Sequence, residues 1–172
     1  MEPNPFKAMA LNNAWANATL YAAFARLAPD DFTAPRPGFF PSLAETMNHI
    51  HAVDLYYVDA LEQGGEGRKV YERENETAPD RLAVAQAAAD MRLTRFCADL
   101  TPEILRQVRI TERPSGPIEE GVEALLLHLF QHQIHHRGQA HVQLQHAGIA
   151  PPQLDEFYLI YDRAPSAEAY FR

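Results

Sequence analysis

From Val122 to Arg137 the chain contains neither glycine nor proline. A stretch of that length without a helix breaker reads as the body of one long helix, spanning about Ile118 to Ala147, with Gly148 as its C-terminal stop. Gly121 and Gly138 fall inside that span, and each weakens it by about 1 kcal/mol relative to alanine. A helix this long must bury an apolar face, and the sequence supplies three partners. The first runs from about Pro5 to Leu27, with Leu11, Trp15, Ala18, Ala22 and Ala25 recurring at steps of three and four. The second opens on Ser42-Leu43-Ala44-Glu45, a capping-box pattern, and runs to Glu62 before Gly64 and Gly65. The third covers Asp80 to Leu100, with Asp80 as its expected N-cap and Leu82, Ala85, Ala89, Leu93, Phe96 and Leu100 on one stripe. Four amphipathic helices joined by medium-length connections point to an all-α four-helix bundle. Two short pieces remain. Val108-Arg109-Ile110-Thr111 reads as a strand or extended loop, and the run Phe157 to Tyr161 is long enough to pack on the core as a strand or a helical turn.

The 172 residues suffice for one domain with one core, residues 1–172. The net charge is −8, and 47% of the chain is apolar, so disorder is not expected. An acidic chain of this kind is a poor candidate for nucleic-acid binding, which needs a basic patch, so no nucleic-acid partner is expected. No apolar run approaches the roughly 20 residues needed to span a bilayer, so no membrane partner is expected. Met1-Glu2-Pro3-Asn4-Pro5 does not read as a signal peptide. Cys97 is the only cysteine, which excludes an intrachain disulfide and a CxxC motif and favours a reducing cytoplasm.

The long helix carries His128, His132, His135 and His136. Histidine is the commonest metal ligand, and residues four apart share a helix face. With His132 as origin, His128 and His136 lie about 40° to either side and His135 about 60° away. Leu125 and Leu129 share that face, so the imidazoles point into the apolar side. His132 and His136 are therefore expected to hold one ion. Two ligands are too few, because catalytic and structural zinc sites use at least three protein ligands. The second helix offers His49 and His51, which face nearly opposite ways. His49 shares its stripe with Val53, Tyr56 and Ala60 and is the better third ligand, whereas His51 is expected to be solvated or bonded to Asp54. His141 points away, and His146 lies too far along the helix. Three neutral imidazoles leave open positions on a divalent ion, an arrangement that suits catalysis. An HExxH motif is absent because Gln133 follows His132, and no Glu precedes a His by three, which excludes a ferritin-like di-iron site.

Asn13-Ala14-Trp15-Ala16-Asn17 with Leu20-Tyr21, Asn48-His49-Ile50 with Val53-Asp54, and His132 through Gln139 together resemble the DinB family (the DinB/YfiT-like superfamily) over nearly the whole chain. Tyr57 stands where relatives often carry tryptophan. The resemblance implies an up-down-down-up bundle, often homodimeric, with a divalent metal, zinc or nickel being the expected ions, on His49, His132 and His136. It also implies a transferase or isomerase that uses a low-molecular-weight thiol such as bacillithiol, mycothiol or glutathione on a small electrophilic substrate. A metal-dependent hydrolase and a non-catalytic metal-binding or interaction bundle are the competing readings. His135 and Arg137 are expected on the helix surface, at a dimer contact or against a carbonyl, with a role in supporting the ligands or orienting substrate as the alternative; Gln139 is expected near the site and Cys97 in the core.

Overall fold

The computed structural model describes residues 4–171. Four long helices dominate it: α1 (Pro5–Phe24), α2 (Leu43–Glu62), α3 (Pro79–Ala98) and α5 (Val122–His146). A single turn, α4 (Pro102–Leu105), and an antiparallel hairpin, β1 (Val108–Arg113) and β2 (Gly116–Gly121), lie between α3 and α5. Two 3-10 helices, Gly67–Glu72 and Pro165–Phe171, complete the chain. Among the described residues no helix is long and apolar enough to cross a membrane.

Local chemistry explains the helix ends. Asn4 caps α1 by accepting the Lys7 N–H at 3.0 Å, and Pro5 at the first position gives up a donor that would be unpaired anyway. Ser42 caps α2 by accepting the Glu45 N–H at 3.1 Å, as the capping pattern predicts. That helix stops on Gln63, which adopts φ 59, and the next residue, Gly64, has Asp59 Oδ1 2.2 Å from where a Cβ would stand. The third helix begins at Pro79 rather than being capped by Asp80, which lies in its first turn. The α5 helix also starts later than expected. Ile118 to Gly121 pair with Val108 to Thr111 in the hairpin, and Gly121 becomes the N-cap. Strand pairing across the turn outweighs the helix propensity of Ile-Glu-Glu.

The four long helices pack around a common interior. The most extensive contacts are α1 on α3 and α2 on α5, with α2 also against α3. One apolar cluster joins Val53, Tyr56, Val58 and Leu61 of α2 to Leu93 and Cys97 of α3 and Leu125, Leu126 and Leu129 of α5. A second joins Leu20 and Phe24, Leu43, Met47 and Ile50, Leu82, and Ala140 and Leu144. The C-terminal tail forms a third with Trp15 and Ala16. There Phe157 lies 5.4 Å from the Trp15 ring, and Trp15 Nε1 donates to Ser166 Oγ at 3.0 Å. Of the run Phe157 to Tyr161 only Phe157 is buried, and the run forms neither strand nor helix.

Between the first two clusters lies a buried polar layer. On α5, Gln133 and Arg137 fall between Phe130 and Ala140. Arg137 is 5% exposed, and its Nη1 donates to Asn13 Oδ1 and, at 3.1 Å, to Asn17 Oδ1. Those two amides donate in turn to Asp90, at 2.9 Å from Asn13 and 3.0 Å from Asn17. Gln86 donates to Asp90 at 3.0 Å and to Asp54 at 2.7 Å, and Gln133 donates to Asp54 at 2.9 Å. All four long helices thus meet in one hydrogen-bonded set. Its charges are two carboxyl groups and one guanidinium, so both carboxyls cannot ionise without excess negative charge in the interior. Burial accordingly pushes Asp54 up to about 7 and Asp90 up to about 6, and pulls Arg137 down to about 10.

Candidate metal centre

The centre lies where α2 crosses α5. His49 sits on the same side of α2 as Val53 and Tyr56, and His132 and His136 stand one turn apart on α5. Each offers one ring nitrogen, and the three nitrogens lie within 4.8 Å of one another. His49 Nε2 and His132 Nε2 are 3.0 Å apart, and the rings of His132 and His136 are 4.4 Å apart. The three histidines expected to converge do so.

The protonation states suit ligation. Burial first, and then the neighbouring imidazoles, depress His132 to about 3 and His49 to about 4. His136 is lowered for the same leading reason. All three rings are therefore neutral at neutral pH. His136 Nδ1–H donates to Gln139 Oε1 at 2.8 Å, which leaves the Nε2 lone pair free. The Nδ1 of His132 is buried and has no hydrogen-bond partner. Without an ion, one of the two facing Nε2 atoms must carry a proton to avoid lone-pair repulsion. A cation accepts both lone pairs at once, so the donor set fits a divalent metal of the imidazole-preferring class.

The surroundings are part aromatic and part polar. Phe40 lies 4.5 Å from His49 and 5.7 Å from His136, and the exposed Phe39 lies 6.2 Å from His136. Beside His49 opens a groove of about 420 Å³, whose lining includes Phe40, Asn48, His51, Arg73 and Arg81. One wall of it is pinned by Asn48. Its Nδ2 donates to Glu76 O at 2.8 Å, and its Oδ1 accepts the Glu76 N–H at 2.8 Å. The polar connection after α2 is thereby tied to the residue next to His49.

The remaining histidines do not join the three-nitrogen cluster, although the His135 ring lies 4.8 Å from that of His136. His128 is exposed, 6.3 Å from the His132 ring. His135 is exposed and receives Gln139 Nε2 at 3.1 Å, so Gln139 touches both His135 and a candidate ligand. His141 bonds Pro152 O at 3.0 Å, and His146 is exposed. His51 does not bond Asp54, whose oxygens are taken by Gln86 and Gln133; it faces the α3 side, beside the Ala85 backbone. Arg137 is likewise not a surface residue, because Asn13 and Asn17 of α1 draw its guanidinium into the interior. Cys97 is buried as expected, and burial pushes its thiol up to about 12, which disqualifies it as a nucleophile.

The sequence model of the DinB family matches residues 2–165. The chain belongs to the DinB family. Protein DinB of Bacillus subtilis strain 168 is 21% identical over 160 residues, which cover 83% of this chain and 86% of that protein. Among solved structures, a DinB-like protein of Bacillus subtilis, YjoA, superposes with a TM-score of 0.62 at 18% identity, over 85% of this chain and 96% of that one. At that identity the likeness establishes the fold, mostly helical and DinB-like. The histidine cluster of this DinB-family chain rests on its own geometry.

Proposed function

We propose that this DinB-family protein binds one divalent metal ion, zinc or nickel, through His49, His132 and His136. With it and a low-molecular-weight thiol, the protein acts as an S-transferase or isomerase on a small electrophile. The observation that carries the reading is the convergence of three neutral imidazole nitrogens beside an open groove. No carboxylate joins that cluster among the described residues, so the ligand set alone does not offset the ion's charge. Such an ion, when bound, supplies Lewis acidity that favours an anionic form of a small thiol.

The chain's own residues do the rest. Gln139 holds the His136 proton on Nδ1. Phe40 shields the imidazoles from solvent on one side. The groove wall tied by Asn48 gives the thiol and its electrophile a place to meet. The finer architecture belongs to the same reading: a single domain over 1–172 with an up-down-down-up order of the four long helices, acting as a cytoplasmic homodimer. The exposed side chains Leu127, Ile134 and Val142 along α5 support placing the dimer contact there.

The test measures metal per chain in tag-free protein, wild type against His132→Ala, and then turnover of small electrophiles with and without added thiol. About one metal per wild-type chain, lost in the variant, with thiol-dependent turnover, supports the proposal. Turnover without thiol makes the protein a hydrolase. Metal without turnover leaves a binding bundle, and no metal in either protein removes the metalloenzyme reading.

A further inference from the structure

A second groove, of about 740 Å³, runs between α1 and α3 and is bordered by Tyr170 of the C-terminal 3-10 helix. It is separate from the histidines, which belong to α2 and α5. Its walls are small and apolar, with Ala18 and Ala22 on one side and Ala83 and Ala87 on the other. Val84 and Met91 line it too, and are 73% and 52% exposed. Its lining also includes Asn17, Tyr21, Gln86 and Asp90, so the groove reaches the edge of the buried polar layer.

We propose that this groove binds a small apolar molecule carrying one protonated amine, with the ammonium set against Asp90 and the Gln86 carbonyl. Three observations carry this. Gln86 is fully buried and spends its Nε2 on Asp54 and Asp90, while its Oε1 has no donor. The Tyr21 hydroxyl, on a residue 7% exposed, is also without a partner. An ammonium donates three hydrogen bonds, and a carboxylate, an amide carbonyl and a phenol oxygen are acceptors for all three.

The second observation is charge. The layer holds Asp54 and Asp90 against Arg137 alone, and the amides of Asn13, Asn17 and Gln86 that serve Asp90 carry no charge. One more cation at the Asp90 end would let both carboxyls ionise within a neutral set. The third is complementarity along the groove, whose lining carries Asp80 and Asp90 and no lysine or arginine. A second copy laid face to face would oppose aspartate to aspartate, whereas an alkyl or aryl amine matches both the apolar walls and the acidic end. The volume lies within the range of small-molecule sites.

The test is an NMR titration of ¹⁵N-labelled full-length protein with hexylamine, hexanol and hexanoate. Hexylamine should move the amide resonances of Ala18, Ala22 and Ala87 and bind at least tenfold more tightly than the other two. Ala87→Trp, at an exposed helical position, fills the groove and should weaken hexylamine at least tenfold. Asp90→Asn should bring the amine and the alcohol to similar affinity. Equal binding of hexanol in wild type overturns the proposal, as does a shift map centred on His49, His132 and His136. So does an Ala87→Trp protein that binds as before. A wild-type dimer that Ala87→Trp dissociates, with no amine binding, makes the groove a self-interface and also overturns it.

Discussion

Replacing Arg137 with methionine keeps much of the side-chain length and removes the only cation of the buried layer. Asp54 is 1% exposed and Asp90 4%, and Asp90 meets solvent only at the edge of the α1/α3 groove, so water does not replace the guanidinium between them. The substitution also strips the donor from Asn13 Oδ1 and Asn17 Oδ1. Breaking one side of a buried charge set costs about 3–5 kcal/mol, and losing donors to buried acceptors costs about 1–3 kcal/mol of that. The charge-related part depends on pH. The carboxyls sit at about 7 and about 6 in the folded protein, above the ordinary aspartate value of about 3.9, so between those limits the folded state binds more protons than the unfolded one. Their contribution to stability is greatest at low pH and is lost as pH rises through about 6 to 7. Without Arg137, which lowers both carboxyls, that window moves upward. The expected destabilisation is therefore about 3–5 kcal/mol at pH 8 and about 1–2 kcal/mol at pH 5.5, where protonation removes the unpaired charge. Urea unfolding followed by circular dichroism in EDTA, at both pH values and on both proteins, measures this. An equal loss at both pH values, or a loss under 1 kcal/mol at pH 8, refutes the reasoning.

Metal uptake should persist below pH 6.5 and should fail toward pH 3–4, because burial depresses His132 to about 3 and His49 to about 4 and lowers His136 as well. In the apo-protein the same depression means that the unfolded chain binds more protons below pH 6.5, so His132 and His49 withdraw stability on acidification through that window. Zinc titrations with a chromophoric competitor at several pH values check the first statement, and a midpoint near pH 6.5 would contradict it. Gln63→Gly relieves the left-handed backbone at φ 59 and should raise the urea midpoint by an amount worth about 0.5–1 kcal/mol. Phe157→Ala should cost about 3–5 kcal/mol, less if the tail detaches on its own, and should shift Trp15 fluorescence to the red. Unchanged emission would show that the tail does not depend on this contact.

The sequence carries the four helices and the three candidate ligands for the same reason. Apolar spacing decides which side of a helix faces inward, and His132, His136 and His49 lie on those inward stripes. The N-terminal part of the fourth helix was not legible, because Ile118 to Gly121 become a strand only through pairing with Val108 to Thr111, a contact between segments that local propensity does not record. Arg137 was missed because an arginine beside a ligand histidine ordinarily reads as solvated. A signal did exist in the pairs Asn13/Asn17 and Gln86/Asp90, each four apart on an otherwise apolar stripe. Polar residues at that spacing on a buried face must answer one another across the core. The role of Asn48 was equally hidden, since Glu76, its partner, lies in a connection with no periodicity.

The three imidazoles come from only two helices, and the nearest pair across them, His49 and His132, is separated by 83 residues. An ion held by both acts as a removable staple across that span. By loop-closure arithmetic, such a cross-link withdraws about 4–5 kcal/mol of conformational freedom from the unfolded chain. The hairpin, α3 and the polar connection after α2 all hang inside the closed loop, while α1 and the tail hang outside it. Unfolding of the loaded protein should then begin from α1 and the tail, leaving the stapled half intact until the ion departs.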